Sequence, residues 1–403
     1  MHPTQRSEVV LEWLGKRYSL INAGSTITEQ QTRLLLSIGS VLSSRYELLV
    51  NTEIVARNYG VFGGMPEDRY VSAFLDPTVF SDVRNLGFAT DRISEALEVL
   101  RISSLSTYED RRISTGALLA GKNPDRSHAL PEKPAGALPY SSELTSIRSF
   151  HRICDGLRTI ALVDPEGLML ELVDVKEWSR PLAHADLPVP SARRYKAHTR
   201  ATLHGGHVCL VLTPNGEIKV FAEGAQQFSF VDGRWHLTDA VEKYTTWLNA
   251  VASRELAERL FSVALNLAEA RRGGLFVILD DPKYARELVS QRDLLNGTSA
   301  GLRRASKSKL HYLLRCRRVT ELSPDVLETI ARIDGSIVLD RDANLLAFGA
   351  ILRHSGAADW TEEPGEGGRT TAAIAASQFG DVMKISEDGR VSFYQKGHCV
   401  WEL

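Results

Sequence analysis

The chain has 403 residues, long enough for two or three domains with cores of their own, and its apolar fraction of 43% is ordinary for a soluble globular protein. Lys and Arg number 48 against 50 Asp and Glu, a net charge of −2 without a long basic run, so no direct nucleic-acid partner is expected. No window approaches the roughly 18 unbroken apolar residues of a membrane span, the first residues lack the apolar core of a signal peptide, and Cys154, Cys209, Cys316 and Cys399 form no Cys-x-x-Cys pair. These features predict a cytoplasmic protein with free thiols, no structural metal and no membrane partner.

Residues 1–85 read as a mixed helical region. Short helices are expected over 8–15 and 28–43 and a strand from Tyr46 to Val55, before Gly60, Gly63, Gly64 and Pro66 break the pattern. Residues 86–240 read as a strand-rich α/β region. Ile93, Ala96, Leu97 and Leu100 form one face of a helix behind Asp91, and a Pro- and Gly-punctuated loop spans 121–141. Hairpins then follow: 159–163 with 168–173 about Asp164-Pro165-Glu166-Gly167, 208–212 with 218–221 about Thr213-Pro214-Asn215-Gly216, and further short strands meeting at Asp232-Gly233.

Residues 241–403 repeat this vocabulary. A long helical pattern runs through Leu256, Leu260, Val263, Ala264 and Leu267 to Arg271-Arg272-Gly273-Gly274, and the run 275–279 reads as a buried strand stopped by Asp280-Asp281-Pro282. Ser323 as N-cap with Pro324 behind it opens a helix that delivers the chain to Asp334. A strand over 336–339 turns back into 345–352. A Gly-rich loop over 355–368 leads into an Ala-rich helix over 371–378, and a hairpin joins 382–385 to 391–394 about Glu387-Asp388-Gly389.

Two short motifs carry the chemistry of this last region. Asp334-Gly335-Ser336 leads an acid into an apolar strand, and Gly367-Gly368-Arg369-Thr370-Thr371 opens a small-residue turn onto a cation and two hydroxyls. A cation is unfavourable at the positive end of a helix unless an anion lies there, and the Gly-Gly turn exposes backbone N–H groups that could bind one. With the element order over about 250–403, this pair resembles the diadenylate cyclase domains, which join two ATP into cyclic di-AMP. Those domains carry Asp-Gly-Ala and Gly-x-Arg-His-Arg-Ala-Ala. Here Ser336 replaces the Ala, and Thr370 and Thr371 replace the His and the second Arg. More specifically the region resembles the sensor family called DACNV, cyclase-like domains proposed to bind nucleotides without making them. The resemblance implies an α/β fold with a central mixed sheet flanked by helices. It also implies a nucleotide-type ligand held by Asp334, Gly335, Ser336, Gly367, Gly368, Arg369, Thr370, Thr371, Ser386 and Glu387, and a protein effector outside this chain. The alternative is an active cyclase using Asp334 and Arg369 with Mg²⁺ or Mn²⁺. Losing a guanidinium and an imidazole from the phosphate cradle favours the receptor.

The chain also echoes itself. Cys154-Asp155-Gly156 and the strand after it parallel Ile333-Asp334-Gly335, while 207–218 parallels 380–391 at a constant offset of 173. Arg111-Arg112 before Gly116-Ala117-Leu118-Leu119 echoes Arg271-Arg272 before Gly274-Leu275-Phe276. About 88–238 is therefore expected to be a degenerate tandem copy of about 250–403, with 159–163 and 336–339 equivalent. Other clusters are weaker. His198, His204, His207 and Cys209 lack a second pair at zinc spacing and read as packing. Lys307, Lys309, His311, Arg315, Arg317 and Arg318 read as a solvated helix face, and Gly356 and Gly365 complete no Walker or Rossmann fingerprint.

Overall fold

In the computed structural model the described residues are 7–13, 16–22, 27–50, 64–80, 91–122, 130–147, 149–295, 317–353 and 367–403, with His311, Leu313 and Leu314. No helix among them is long and apolar enough to cross a membrane. The chain divides into two compact units, residues 1–189 with 195–240, and 190–194 with 241–403. Each unit holds one mixed sheet flanked by helices, which is an α/β fold.

The first unit opens with an antiparallel hairpin, β1 (Ser7–Trp13) and β2 (Lys16–Asn22). The helix expected over 8–15 is thus a strand. Val9, Val10 and Trp13 favour an extended chain over the helical spacing. Helix α1 (Glu29–Val50) continues through Tyr46, where a strand was expected, because the leucine-rich pattern carries on to its last turn. Residues 51–55, Gly60 and Gly63 lie outside the described residues. Helices α2 (Pro66–Leu75) and α3 (Arg92–Ser104) follow, the second capped by Asp91 as expected. A small ladder of β3 (Thr107–Tyr108) and β4 (Arg111–Arg112) precedes the main sheet.

That sheet contains β5 (Thr115–Leu119), β6 (Thr159–Val163), β7 (Met169–Asp174), β8 (Val208–Leu212), β9 (Ile218–Ala222), β10 (Ala225–Val231) and β11 (Arg234–Leu237) in the order β7-β6-β5-β8-β9-β10-β11. Its β5–β6 pair is parallel and the other described pairs are antiparallel. Ile93, Leu97 and Leu100 of α3 pack on one face with Ala117, Leu119, Leu210 and Val220. The short helix α4 (Lys196–Ala201) precedes β8.

In the second unit the long helical pattern after 240 is two helices, α5 (Ala240–Val251) and α6 (Arg254–Glu269). Ala252 breaks them with φ of 63°, and Ser253 caps α6 by accepting from the Leu256 N–H. Strand β12 (Gly274–Leu279), helix α7 (Pro324–Ala331), strands β13 (Ser336–Asp340) and β14 (Leu345–Ala350), helix α8 (Gly368–Ala376) and strands β15 (Gly380–Ile385), β16 (Val391–Gln395) and β17 (His398–Glu402) complete it. The sheet order is β14-β13-β12-β15-β16-β17, with β12–β13 parallel. One face meets α5 and α6, where the Trp247 ring lies 5.2 Å from Phe393 and Phe261 lies 6.2 Å from Trp401. The other face buries Val277, Val338 and Val382 against Ala373 and Ala376 of α8.

Six strands of the first sheet, β7-β6-β5-β8-β9-β10, match the six of the second in order and direction, and the register of β5, β8, β9 and β10 matches that of β12, β15, β16 and β17. Leu210 lies opposite Val220, and Val220 opposite Phe228; 173 positions on, Met383 lies opposite Phe393, and Phe393 opposite Trp401. Each hairpin also carries its register shift at the same place, at Gln226–Phe228 and between Phe393 and Tyr394. Strands β6 and β13, expected to be equivalent, hold the same place in their sheets. The turns after them match as well. Asp164 Oδ1 accepts from the Leu168 N–H, and Asp340 Oδ1 accepts from the Asn344 N–H, both at 2.8 Å.

Candidate functional site

Three strand ends meet at one edge of the second sheet. Strands β12 and β13 run parallel and begin there, while antiparallel β15 ends there. Gly273 directly precedes β12, and Asp334 lies two residues before β13, the strand paired with β12 in parallel. Arg369, in the first turn of α8, lays its guanidinium over Gly273 so closely that a Cβ there would collide with it. Asp334 and Arg369, 35 positions apart, therefore reach the same edge.

The site residues play different parts. Asp334 is exposed, and its side chain makes no hydrogen bond or ion pair with any described residue. Gly335 is obligatory for two reasons: its φ is 113°, and a Cβ would sit 2.5 Å from the Gly349 carbonyl carbon. Ser336 is buried and donates its hydroxyl to the Ala350 carbonyl at 2.8 Å, a strand–strand bond that occupies its proton. Gly367 and Gly368 are exposed, and a Cβ on either would meet open space, so the turn is bare backbone at the helix start. Thr370 is buried and its hydroxyl accepts from Lys384 Nζ at 3.0 Å, whereas Thr371 is exposed.

Glu387 is the anion that meets Arg369. The two form an exposed ion pair at 2.8 Å. The hydrogen bond and charge of Arg369, with help from Arg272, hold the Glu387 carboxyl below its usual value. Ser386 closes the hairpin turn, its N–H donating to the Arg390 carbonyl at 2.9 Å. Arg271 lies against Gly389 in the same turn. Its counterpart Arg112 donates to the Asn215 carbonyl at 2.7 Å in the first unit, so this arginine braces the hairpin in both.

The opposite edge of the sheet is closed by ion pairs. Arg341 bridges Asp280 and the buried Asp381, each at 2.5 Å, and Gln395 donates to Asp381 at 2.7 Å. Its carboxylates are thus spent internally. No group of three or more His, Cys, Asp or Glu suited to a metal gathers among the described residues. At the first edge Glu387 is paired with Arg369, which leaves Asp334 as the carboxylate with no partner among the described residues, so a divalent ion would have to arrive on a ligand's phosphates. His198 bonds the Gly156 carbonyl through Nε2 at 2.9 Å, and His207 Nδ1 accepts from the Gly121 N–H at 3.0 Å, both deep in packing. Cys154 and Cys209 are buried and Cys399 lies at the surface, all three outside any disulfide. Lys307, Lys309, Arg315, Cys316, Gly356 and Gly365 lie outside the described residues, while Arg318 donates to the Asp342 carbonyl at 3.0 Å. Lys384 and Arg272 were missed by the sequence motifs, since neither lies inside one.

No family model matches the chain, and no curated protein matches it. Among solved structures, one likeness is to a protein of Bacillus cereus described as a hypothetical membrane spanning protein, at 20% identity and a TM-score of 0.29, covering 39% of this chain and 69% of that one. Another is to DacA from Staphylococcus aureus in a double-mutant form, at 14% identity and a TM-score of 0.23, covering 39% of this chain and 87% of that one. Both are distant likenesses in part of the chain.

Proposed function

We propose that the second unit is a degenerate cyclase-like sensor that binds a nucleotide or cyclic dinucleotide and passes the signal to a protein effector in the cytoplasm. The observation that carries this reading is that Asp334, Arg369 and the bare Gly367-Gly368 turn all lie at the end of the sheet where β12 and β13 begin. A carboxylate with no described partner suits a ribose hydroxyl or a ligand-borne cation, and exposed N–H groups with a guanidinium suit phosphate. The first unit is proposed to be the degenerate copy. Its Asp155 is consumed by its own turn, accepting from the N–H groups of Leu157, Arg158 and Thr159 at 2.7–3.0 Å.

Binding without synthesis follows from charge. Arg369 is met by Glu387, and Thr370 and Thr371 add no positive charge to a cradle that must stabilise a triphosphate under attack. The purified protein incubated with ATP and Mg²⁺ or Mn²⁺ is expected to make little or no cyclic di-AMP, while ATP or cyclic di-AMP raises its melting temperature. Product formation that disappears in Asp334→Asn would establish the cyclase instead. Absence of any melting shift with either nucleotide would remove the sensor.

A further inference from the structure

The shared register allows each position of the site edge to be compared with its counterpart in the first unit. Lys384 faces Leu275 and Ser392 across its two neighbours; the residue in that place in the first sheet is Val211, facing Gly116 and Lys219. Arg272 stands two positions before β12, where the first unit has Ile113, two positions before β5. Val211 is fully buried and Ile113 is 7% exposed. At two neighbouring positions, then, an apolar residue of one unit is a cation in the other, and both cations lie at the edge that holds Asp334 and Arg369.

The surroundings of the two cations support a shared task. Lys384 Nζ donates to Thr370 Oγ1 at 3.0 Å and lies 5.5 Å from the Tyr394 ring centre, with no carboxylate within ion-pair distance among the described residues. With its oxygen accepting from the ammonium, the Thr370 hydroxyl keeps its proton to give elsewhere. Arg272 is exposed and contributes to the field at Glu387. Glu387, already committed to Arg369, balances one of the three cations. The first unit does carry a lysine on the partner strand, Lys219, but it is buried over the Tyr195 ring at 5.2 Å with Glu217 at 3.9 Å, a closed arrangement.

We infer that Lys384 and Arg272 are phosphate-binding residues of the second unit, replacing from strand β15 and the β12 approach the positive charge missing at Thr370 and Thr371. This deepens the nucleotide-binding reading and rests on it for the nucleoside part of the ligand. The phosphate part stands on the cations alone. It also assigns one ligand to each chain, because Val211 and Ile113 leave the first unit without the equivalent charges.

The test is calorimetric titration of the full chain with ATP, with cyclic di-AMP and with pyrophosphate. Wild type is compared with Lys384→Val, Arg272→Ile and Lys384→Arg, and melting temperatures check folding. The expected result is one site per chain, weakened about tenfold or more in the first two variants and retained in Lys384→Arg. Ligand binding unchanged in both Lys384→Val and Arg272→Ile would overturn the inference while leaving the sensor reading intact. Pyrophosphate binding alone, lost in the variants, would uphold it and remove the nucleotide. No binding of any of the three probes by wild type would overturn both. Should Lys384→Val melt early, Arg272→Ile, on the surface, decides.

Discussion

Asp155 and Asp334 each precede the second strand of a parallel pair, yet only one is bound into its own turn. Burial pushes the Asp155 carboxyl up, but the N–H groups of Arg158, Thr159 and Leu157 outweigh it and hold the group below its usual value. Asp155→Ala is expected to cost about 1–2 kcal/mol in chemical denaturation, as for a lost cap. Because its folded pKa is depressed, that contribution is fully present above the ordinary carboxylate pKa and fades as pH falls through the lowered one. Asp334→Ala, with no described partner to lose, should stay within about 0.5 kcal/mol of wild type and act on ligand binding instead. Gly335→Ala combines a positive φ with a backbone collision and should cost at least about 2 kcal/mol. A melting curve unchanged in Gly335→Ala would contradict that strained turn.

At the level of elements, the break between α5 and α6 has a defined cause. Ala252 holds a left-handed conformation that costs an L-residue about 1 kcal/mol, so Ala252→Gly should raise stability by several tenths to about 1 kcal/mol. This break was invisible in the sequence, since Ala is the best helix former and the apolar spacing continues across it. What could be read was local. The turn pairs Asn215-Gly216 and Asp388-Gly389 fixed their hairpins, Ser323 and Asp91 capped the expected helices, and the run 275–279 is the fully buried β12. Strand β17 went unseen because four of its five residues are exposed and show no apolar alternation. The hairpin β1–β2 was masked by spacing that suits either period. Of the proposed site, the motifs named Asp334, Arg369 and Glu387. They could not show that Glu387 neutralises Arg369, or that Lys384 and Arg272 arrive from outside both motifs, because those meetings depend on strand register.

For the whole molecule, two sheets with separate cores predict separable stability. Val338 lies fully buried in the central parallel pair of the second unit, and Val338→Ala should remove about 2–3 kcal/mol there by leaving a cavity. Hydrogen exchange followed by mass spectrometry is expected to show faster exchange across β12, β13 and β15 with β5, β6 and β8 unchanged. Equal acceleration in both sheets would mean that they unfold as one.

The matched hairpins have a consequence for how the chain reaches its native state. Because β8–β9–β10 and β15–β16–β17 carry one register down to the same irregularity, a nascent chain has two geometrically acceptable mates for each of these strands. Exchange between halves would then be a kinetic trap of the kind tandem repeats fall into. What separates the right mate from the wrong one is side-chain volume. Leu210, Val220 and Phe228 meet in one ladder where Met383, Phe393 and Trp401 meet in the other. A crossed pairing would join small to large and leave gaps or overlaps on both sides. Divergence between the halves thereby serves as an address label during synthesis. Rewriting 380–403 with the residues of 207–230 should lower the refolding yield and raise the share of exchanged dimers on size-exclusion chromatography.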